Sequence, residues 1–153
     1  MVSIKKNILQ GIRVLDLSQF LSGPHTTLLL AGLGAEVIRV DNPKTGTALV
    51  KTPIYYGKEG PSLRKRDETD LGIAFLKRCR GKKSVTIDLK SEKGHEHFLK
   101  LAKESDILVE NFSVGVTQRL KVDWPSLNQI NQRLIYCSLT VYGSKGPDCH
   151  KKG

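Results

Sequence analysis

The stretch Ile12-Arg13-Val14-Leu15-Asp16-Leu17, then Ser18-Gln19-Phe20-Leu21-Ser22, Gly23-Pro24 and finally Ala35-Glu36-Val37-Ile38-Arg39-Val40, decides the fold. Residues 12–17 are apolar and β-branched enough for a buried strand. Residues 18–22 read as a loop. Gly23-Pro24 opens a helix, with Pro24 suited to the first helical position, where no N–H partner is missed. Residues 25–33 continue it, and Gly34 suits its C-terminal cap. Residues 35–40 are a second β-rich run. Strand, helix and strand within about 30 residues make a βαβ unit, which is right-handed with near certainty.

Working outward, regular alternation resumes downstream. Residues 84–89 read as a strand. Ser91 caps a helix running through Ala102, with Phe98, Leu101 and Ala102 on its apolar face and Lys93, Glu96 and Lys100 outside. Residues 107–110 form the next strand, 114–119 and 124–131 short helices, and 134–139 a last strand. Repeated β and α segments imply an α/β fold: an open, mostly parallel sheet with flanking helices. Residues 41–69 differ. They hold Pro43, Gly46, Pro53, Gly57, Gly60 and Pro61 with the charge cluster Arg64-Lys65-Arg66-Asp67-Glu68, and read as a long loop or arm. A connection of that length is either functional or disordered. A short helix is expected over 70–79.

At 153 residues, 39% hydrophobic and 26% charged, the chain fits one globular domain. Its longest apolar stretch, 28–38, is broken by Gly32, Gly34 and Glu36 and is too short to span a bilayer, so no membrane partner is expected. No apolar run follows the charged start, so no secretory signal is read. Cys79, Cys137 and Cys149 lack CxxC spacing, which argues against a disulfide framework or zinc and for reduced thiols in a cytoplasmic protein. A net charge of +10 favours anionic partners, either nucleic acid or a phosphate-bearing cofactor.

In sheets of this kind ligands bind beyond the carboxyl ends of the strands. The segments there are 18–23, Asp41-Asn42, Lys90, Asn111-Phe112 and Tyr142-Gly143. The helix N-terminus at Gly23 is suited to a phosphate or carboxylate. Asp41 stands where a dinucleotide fold often holds ribose, but the first turn lacks GxGxxG, so nicotinamide chemistry is disfavoured. The run Lys77-Arg78-Cys79-Arg80-Gly81-Lys82-Lys83 carries five basic residues in seven. It reads as a solvated face, a nucleic-acid patch or a seat for an anionic cofactor tail. His25, His95, His97 and His150 form no HxxxH pair, and no metal site is expected. Neither a GxSxG elbow nor a GxxxxGK[ST] loop occurs.

Four blocks, taken together and in order, resemble the family III CoA-transferases, a group that includes formyl-CoA and carnitine CoA-transferases and the alpha-methylacyl-CoA racemases. They are Gly11-Ile-Arg-Val-Leu-Asp-Leu-Ser18 with Ser22-Gly-Pro24; Leu33-Gly-Ala-Glu-Val-Ile-Arg-Val-Asp41; Gly81-Lys-Lys-Ser-Val-Thr-Ile-Asp-Leu-Lys90 leading to Asp106-Ile-Leu-Val-Glu-Asn-Phe112; and Arg133-Leu-Ile-Tyr-Cys-Ser138 with Tyr142-Gly143 and Gly146-Pro147. The resemblance implies a Rossmann-like, coenzyme A-binding domain over 1–153, the N-terminal part of a longer two-domain chain that forms interlocked homodimers. It implies acyl-CoA and a carboxylic acid as substrates and disfavours nucleic acid. Its CoA contacts fall on Leu21, Ser22, Asn42, Ile87, Lys90, Asn111, Phe112 and Arg119. Lys90 and Arg119 suit phosphates, Phe112 offers an apolar surface, and Asn111 both donates and accepts. Plainer readings stand beside these: Phe112 as core, Lys90 and Arg119 as solvated surface, Asn111 as a turn residue.

Some positions depart from the pattern. Asn42 stands where relatives often carry Pro or Arg, Val141 where Gly is usual, and the arm 44–69 is not a close match. The transferases use an aspartate further along as nucleophile, taking the acyl group as a mixed anhydride before CoA thiolate attack gives an enzyme thioester. No residue here matches it, and Asp148 is not promoted. The racemases' His-Asp pair would begin just after Gly153. The expectation is a CoA-binding part that does not turn over alone. The rival readings are a racemase fragment and a noncatalytic anion-binding or nucleic-acid-binding module.

Overall fold

The computed structural model describes residues 7–149 and 151; His150 lies outside them. Strand β1 (Arg13–Asp16) leads to helix α1 (Ser22–Gly32) and strand β2 (Glu36–Asp41). Helix α1 begins at Ser22, so Pro24 is its third residue rather than its first, and no side chain caps its start. Its end is as expected. Gly34, at φ +101°, donates its N–H to Ala31 O (3.0 Å), while Ala35 N donates to Leu30 O (3.1 Å). This paired closure needs a left-handed residue, which glycine adopts without strain.

Residues 42–72 are more ordered than a plain loop. A 3-10 turn (Ala48–Lys51) is followed by short strands β3 (Tyr55–Gly57), β4 (Gly60–Ser62) and β5 (Leu71–Gly72), which pair antiparallel in the order β4-β3-β5. Helix α2 (Ile73–Arg78) closes the segment. Strand β6 (Lys83–Thr86), helix α3 (Glu92–Lys103) and strand β7 (Ile107–Glu110) follow. Short helices α4 (Val116–Arg119) and α5 (Trp124–Asn128) and strand β8 (Ile135–Ser138) complete the order. Ser91 caps α3 as read from sequence, its hydroxyl accepting from Gly94 N at 3.1 Å. The far end of α3 is held by buried Asn131, whose amide donates to Ala102 O (2.9 Å) and Ser105 O (2.8 Å).

The main sheet is parallel throughout, in the order β6-β2-β1-β7-β8. Val14 pairs with Val37 on one side and Ile107 on the other. Because side chains alternate across a strand, neighbours in β1 enter opposite cores. Val14 joins Val37, Val109, Leu30 and Ala31 beneath α1. Leu15 joins Leu108, Phe98, Ala102 and Leu127 beneath α3 and α5. Phe98 is wholly buried there, worth about 1.5–3 kcal/mol of transfer free energy. Helices on both faces make a three-layer α/β architecture. From β1 the chain builds outward through β2 to β6, then crosses to build the other side from β7. The crevice between the carboxyl ends of β1 and β7 is therefore the topological switch point. No described helix is long and apolar enough to cross a membrane.

Candidate functional site

The carboxyl rim is shaped first by a buried ion pair. Asp16 ends β1 with its carboxylate fully buried. One oxygen accepts from Ser18 N (3.0 Å) and from the Ser18 hydroxyl. The other accepts from the Thr27 hydroxyl (2.5 Å) and Lys82 Nζ (3.0 Å). Lys82 also donates to Pro24 O (2.8 Å) and Thr27 Oγ1 (2.6 Å), and its side chain is 1% exposed. A buried charge is tolerated only when paired and hydrogen-bonded, and here every donor of the ammonium is used. The pair thus fixes the turn from β1 into α1. Gly23 completes that turn by close approach: a Cβ there would lie 2.1 Å from Ser18 Cβ.

The same pair takes one residue, Lys82, out of the basic run read at 77–83. Lys82 points inward, Lys83 pairs with Glu36, and Arg78 donates to Phe20 O at 3.3 Å. These three side chains serve three different partners, while Lys77 and Arg80 stay exposed. Asp41 is similarly committed. Arg39 bonds its carboxylate through Nε (3.1 Å) and Nη2 and the Ser84 hydroxyl adds another bond (2.8 Å), while Arg39 also stacks over Phe75 and bonds Cys79 Sγ. Burial pushes the Cys79 thiol up against the opposing pull of Arg39.

Across the switch point, Asn111 ties β7 to the β1 loop. Its Oδ1 accepts from Gln19 N (2.7 Å) and its Nδ2 donates to Gln19 O (2.8 Å). Two hollows open on either side. One, of about 460 Å³, has an apolar floor that includes Val40, Ile87 and Leu120 and a rim that includes Asn42, Lys51 and Lys90. The other, of about 730 Å³, is lined by Leu21, Ser22, Asn111 and Tyr142 among others. Phe20 and Phe112 line both. Seven of the eight residues singled out from sequence therefore fall on adjoining hollows: Asn42, Ile87 and Lys90 on the first, Leu21, Ser22 and Asn111 on the second, and Phe112 on both. Arg119 is exposed on α4 and lines neither.

Individual roles differ from simple ligand contact. Asn42 uses its side-chain carbonyl to accept from Lys44 N (2.8 Å), forming a turn. Ile87 is buried and belongs to the core. Lys90 is exposed, with its backbone N–H held by Asp88 (3.0 Å). Sequence reasoning did not single out Gln19, Phe20 or Lys51. The first two lay within the loop read at 18–22; Lys51 lay in the arm, whose folding could not be foreseen. A floor of aliphatic carbons with lysines at the mouth suits a ligand with both apolar and anionic parts. Among the described residues no cluster of three or more His, Cys, Asp or Glu is placed to hold a metal ion.

Comparison with known proteins gives a consistent result. The chain is 37% identical over 145 residues to the succinyl-CoA–L-malate CoA-transferase alpha subunit of Chloroflexus aurantiacus, covering 95% of this chain and 32% of that one. It is 37% identical over 139 residues to the formyl-CoA:oxalate CoA-transferase of Streptomyces coelicolor, covering 91% of this chain and 31% of that one. The crystal structure of a CAIB/BAIF family protein from Brucella suis superposes with a TM-score of 0.84 at 33% identity, covering 97% of this chain and 37% of that one. The chain thus spans about a third of the length of the curated relatives it matches. Residues 9–153 match the model for CoA-transferase family III, and the chain belongs to that family.

Proposed function

We propose that this chain supplies the coenzyme A-binding part of a CoA-transferase, an enzyme that moves CoA from an acyl-CoA donor to a carboxylic acid. The observation that carries the reading is the pair of adjoining hollows at the switch point, which share Phe20 and Phe112. A long ligand with a phosphorylated end and an apolar linker matches two connected hollows better than one compact ligand would. Lys51 and Lys90 at the first mouth suit the phosphates, supported by a net charge of +10. Leu21, Ser22, Asn111 and Phe112 line the second hollow and suit the pantetheine and its thiol. In this reading the nucleophilic aspartate lies outside the chain, the working enzyme is a cytoplasmic homodimer, and the chain alone binds CoA without turnover. Arg119 ends α4 one residue before Leu120 of the first hollow, and serves in this reading as a further cation for the phosphates. The commitment of Lys82, Lys83 and Arg78 to partners within the chain lessens the basic surface a nucleic-acid module would need.

A calorimetric titration with CoA tests this. Saturable one-to-one binding, weakened by about 1–3 kcal/mol in Lys90→Ala, is expected for a lost charged hydrogen bond. DNA binding with a steep salt dependence and no CoA binding would end the reading.

A further inference from the structure

Phe20 is placed against the ordinary rules for a phenylalanine. Its φ is +63°, in the left-handed region that a bulky residue enters only at an energetic cost. Its side chain is 64% exposed and belongs to neither core cluster. The backbone is nevertheless held firmly. Arg78 Nη1 donates to its carbonyl (3.3 Å), and both backbone groups of Gln19 are bonded by Asn111 (2.7 and 2.8 Å). The fold therefore fixes the conformation here, while among the described residues neither core cluster takes up the aromatic ring. What distinguishes the position is that it lines both hollows, as Phe112 does.

We infer that the Phe20 ring is a binding wall for the apolar linker of the ligand, which crosses between the hollows past Phe20 and Phe112. This rests on the CoA reading above and adds a residue and a ligand segment to it. Pantetheine presents a gem-dimethyl group and methylene runs between its amides. Such surface packs well on aromatic faces and gains by leaving water. The anionic nucleotide end, by contrast, would sit among the lysines of the first hollow and owe little to Phe20.

The test compares Phe20→Gly and Phe20→Leu with the parent chain in three measurements: thermal midpoint, affinity for CoA, and affinity for 3′-phosphoadenosine 5′-diphosphate, the nucleotide end alone. Glycine adopts φ +63° without strain, so the unliganded Gly variant should melt no lower than the parent. Its CoA affinity should fall about tenfold, the nucleotide fragment should change less than about twofold, and Leu should recover most of the loss. Unchanged CoA affinity in the Gly variant overturns the inference while leaving the CoA reading intact. So does an equal loss for both ligands, which would mean a disordered loop, or a marked drop in melting temperature, which would make the ring structural. A parent chain that binds no CoA overturns the functional reading and this inference together.

Discussion

Replacing Lys82 by Met asks whether the rim is held by a buried charge. Methionine keeps most of the apolar stem and removes the ammonium. In the parent, Nζ meets Asp16 Oδ2 at 3.0 Å, Pro24 O at 2.8 Å and Thr27 Oγ1 at 2.6 Å, with side-chain exposures of 1% for Lys82 and 0% for Asp16. Without it Asp16 keeps its bonds from Ser18 and Thr27 but loses its only counter-charge among the described residues. Removing one partner of a buried pair costs about 3–5 kcal/mol. The three remaining donors argue for the lower end, about 3 kcal/mol, against a total stability of about 5–15 kcal/mol for a domain. With a urea slope of about 2 kcal/mol per molar, the unfolding midpoint should fall by about 1.5 M. Lys82→Met combined with Asp16→Asn should be less destabilised than the two single changes added together, by at least about 1 kcal/mol, because the unpaired anion is gone. A midpoint within about 0.25 M of the parent, or strict additivity in the double variant, would refute the claim that this pair holds the β1–α1 turn.

Two further outcomes follow from the same geometry. Lys83 and Arg13 (Nε–Oε2 2.7 Å) hold the Glu36 carboxyl below its ordinary value of 4.5. Its stabilisation is present above that value and lost as pH falls through the lowered one, so Glu36→Gln should flatten the decline of melting temperature between about pH 5 and 3; the carboxyl is one-third exposed, which keeps the effect below about 1 kcal/mol. Gly23→Ala should destabilise by about 1–3 kcal/mol in urea melts, since the new Cβ would sit 2.1 Å from Ser18 Cβ, whereas Gly32→Ala, with nothing within 4 Å, should be neutral or stabilising.

The parts of the fold that could be read from sequence are those where one short pattern carries the decision. Val14 to Leu17 and Val37 to Val40 announce buried parallel strands because both faces need apolar residues. Gly34 and Ser91 announce helix ends because their chemistry is local. The arm was opaque for the opposite reason. Its strands are only two or three residues long, too short for alternation to show, and Pro61 lies inside one of them. Lys82 does not stand out from its neighbours in the basic run because its acid partner is 66 residues away in sequence. The left-handed turn at Phe20 has no sequence signal, since the side chain there is one that ordinarily avoids it.

The same distinction governs how the site residues should be understood. Asn111 was singled out as a ligand contact, and it does reach the second hollow, yet its amide already bridges to Gln19, 92 residues away. Changing it would free the loop that carries Phe20, Leu21 and Ser22, so a loss of affinity in Asn111→Ala reports loop position as much as direct contact. Lys90 is the cleaner probe. Its side chain has no hydrogen-bonded or ionic protein partner among the described residues, so its removal leaves the rim as it was. If Lys90→Ala weakens CoA while the melting temperature holds, the phosphates sit at the mouth of the first hollow. If only Asn111→Ala does so, the rim matters through its architecture and the anionic end of the ligand lies elsewhere.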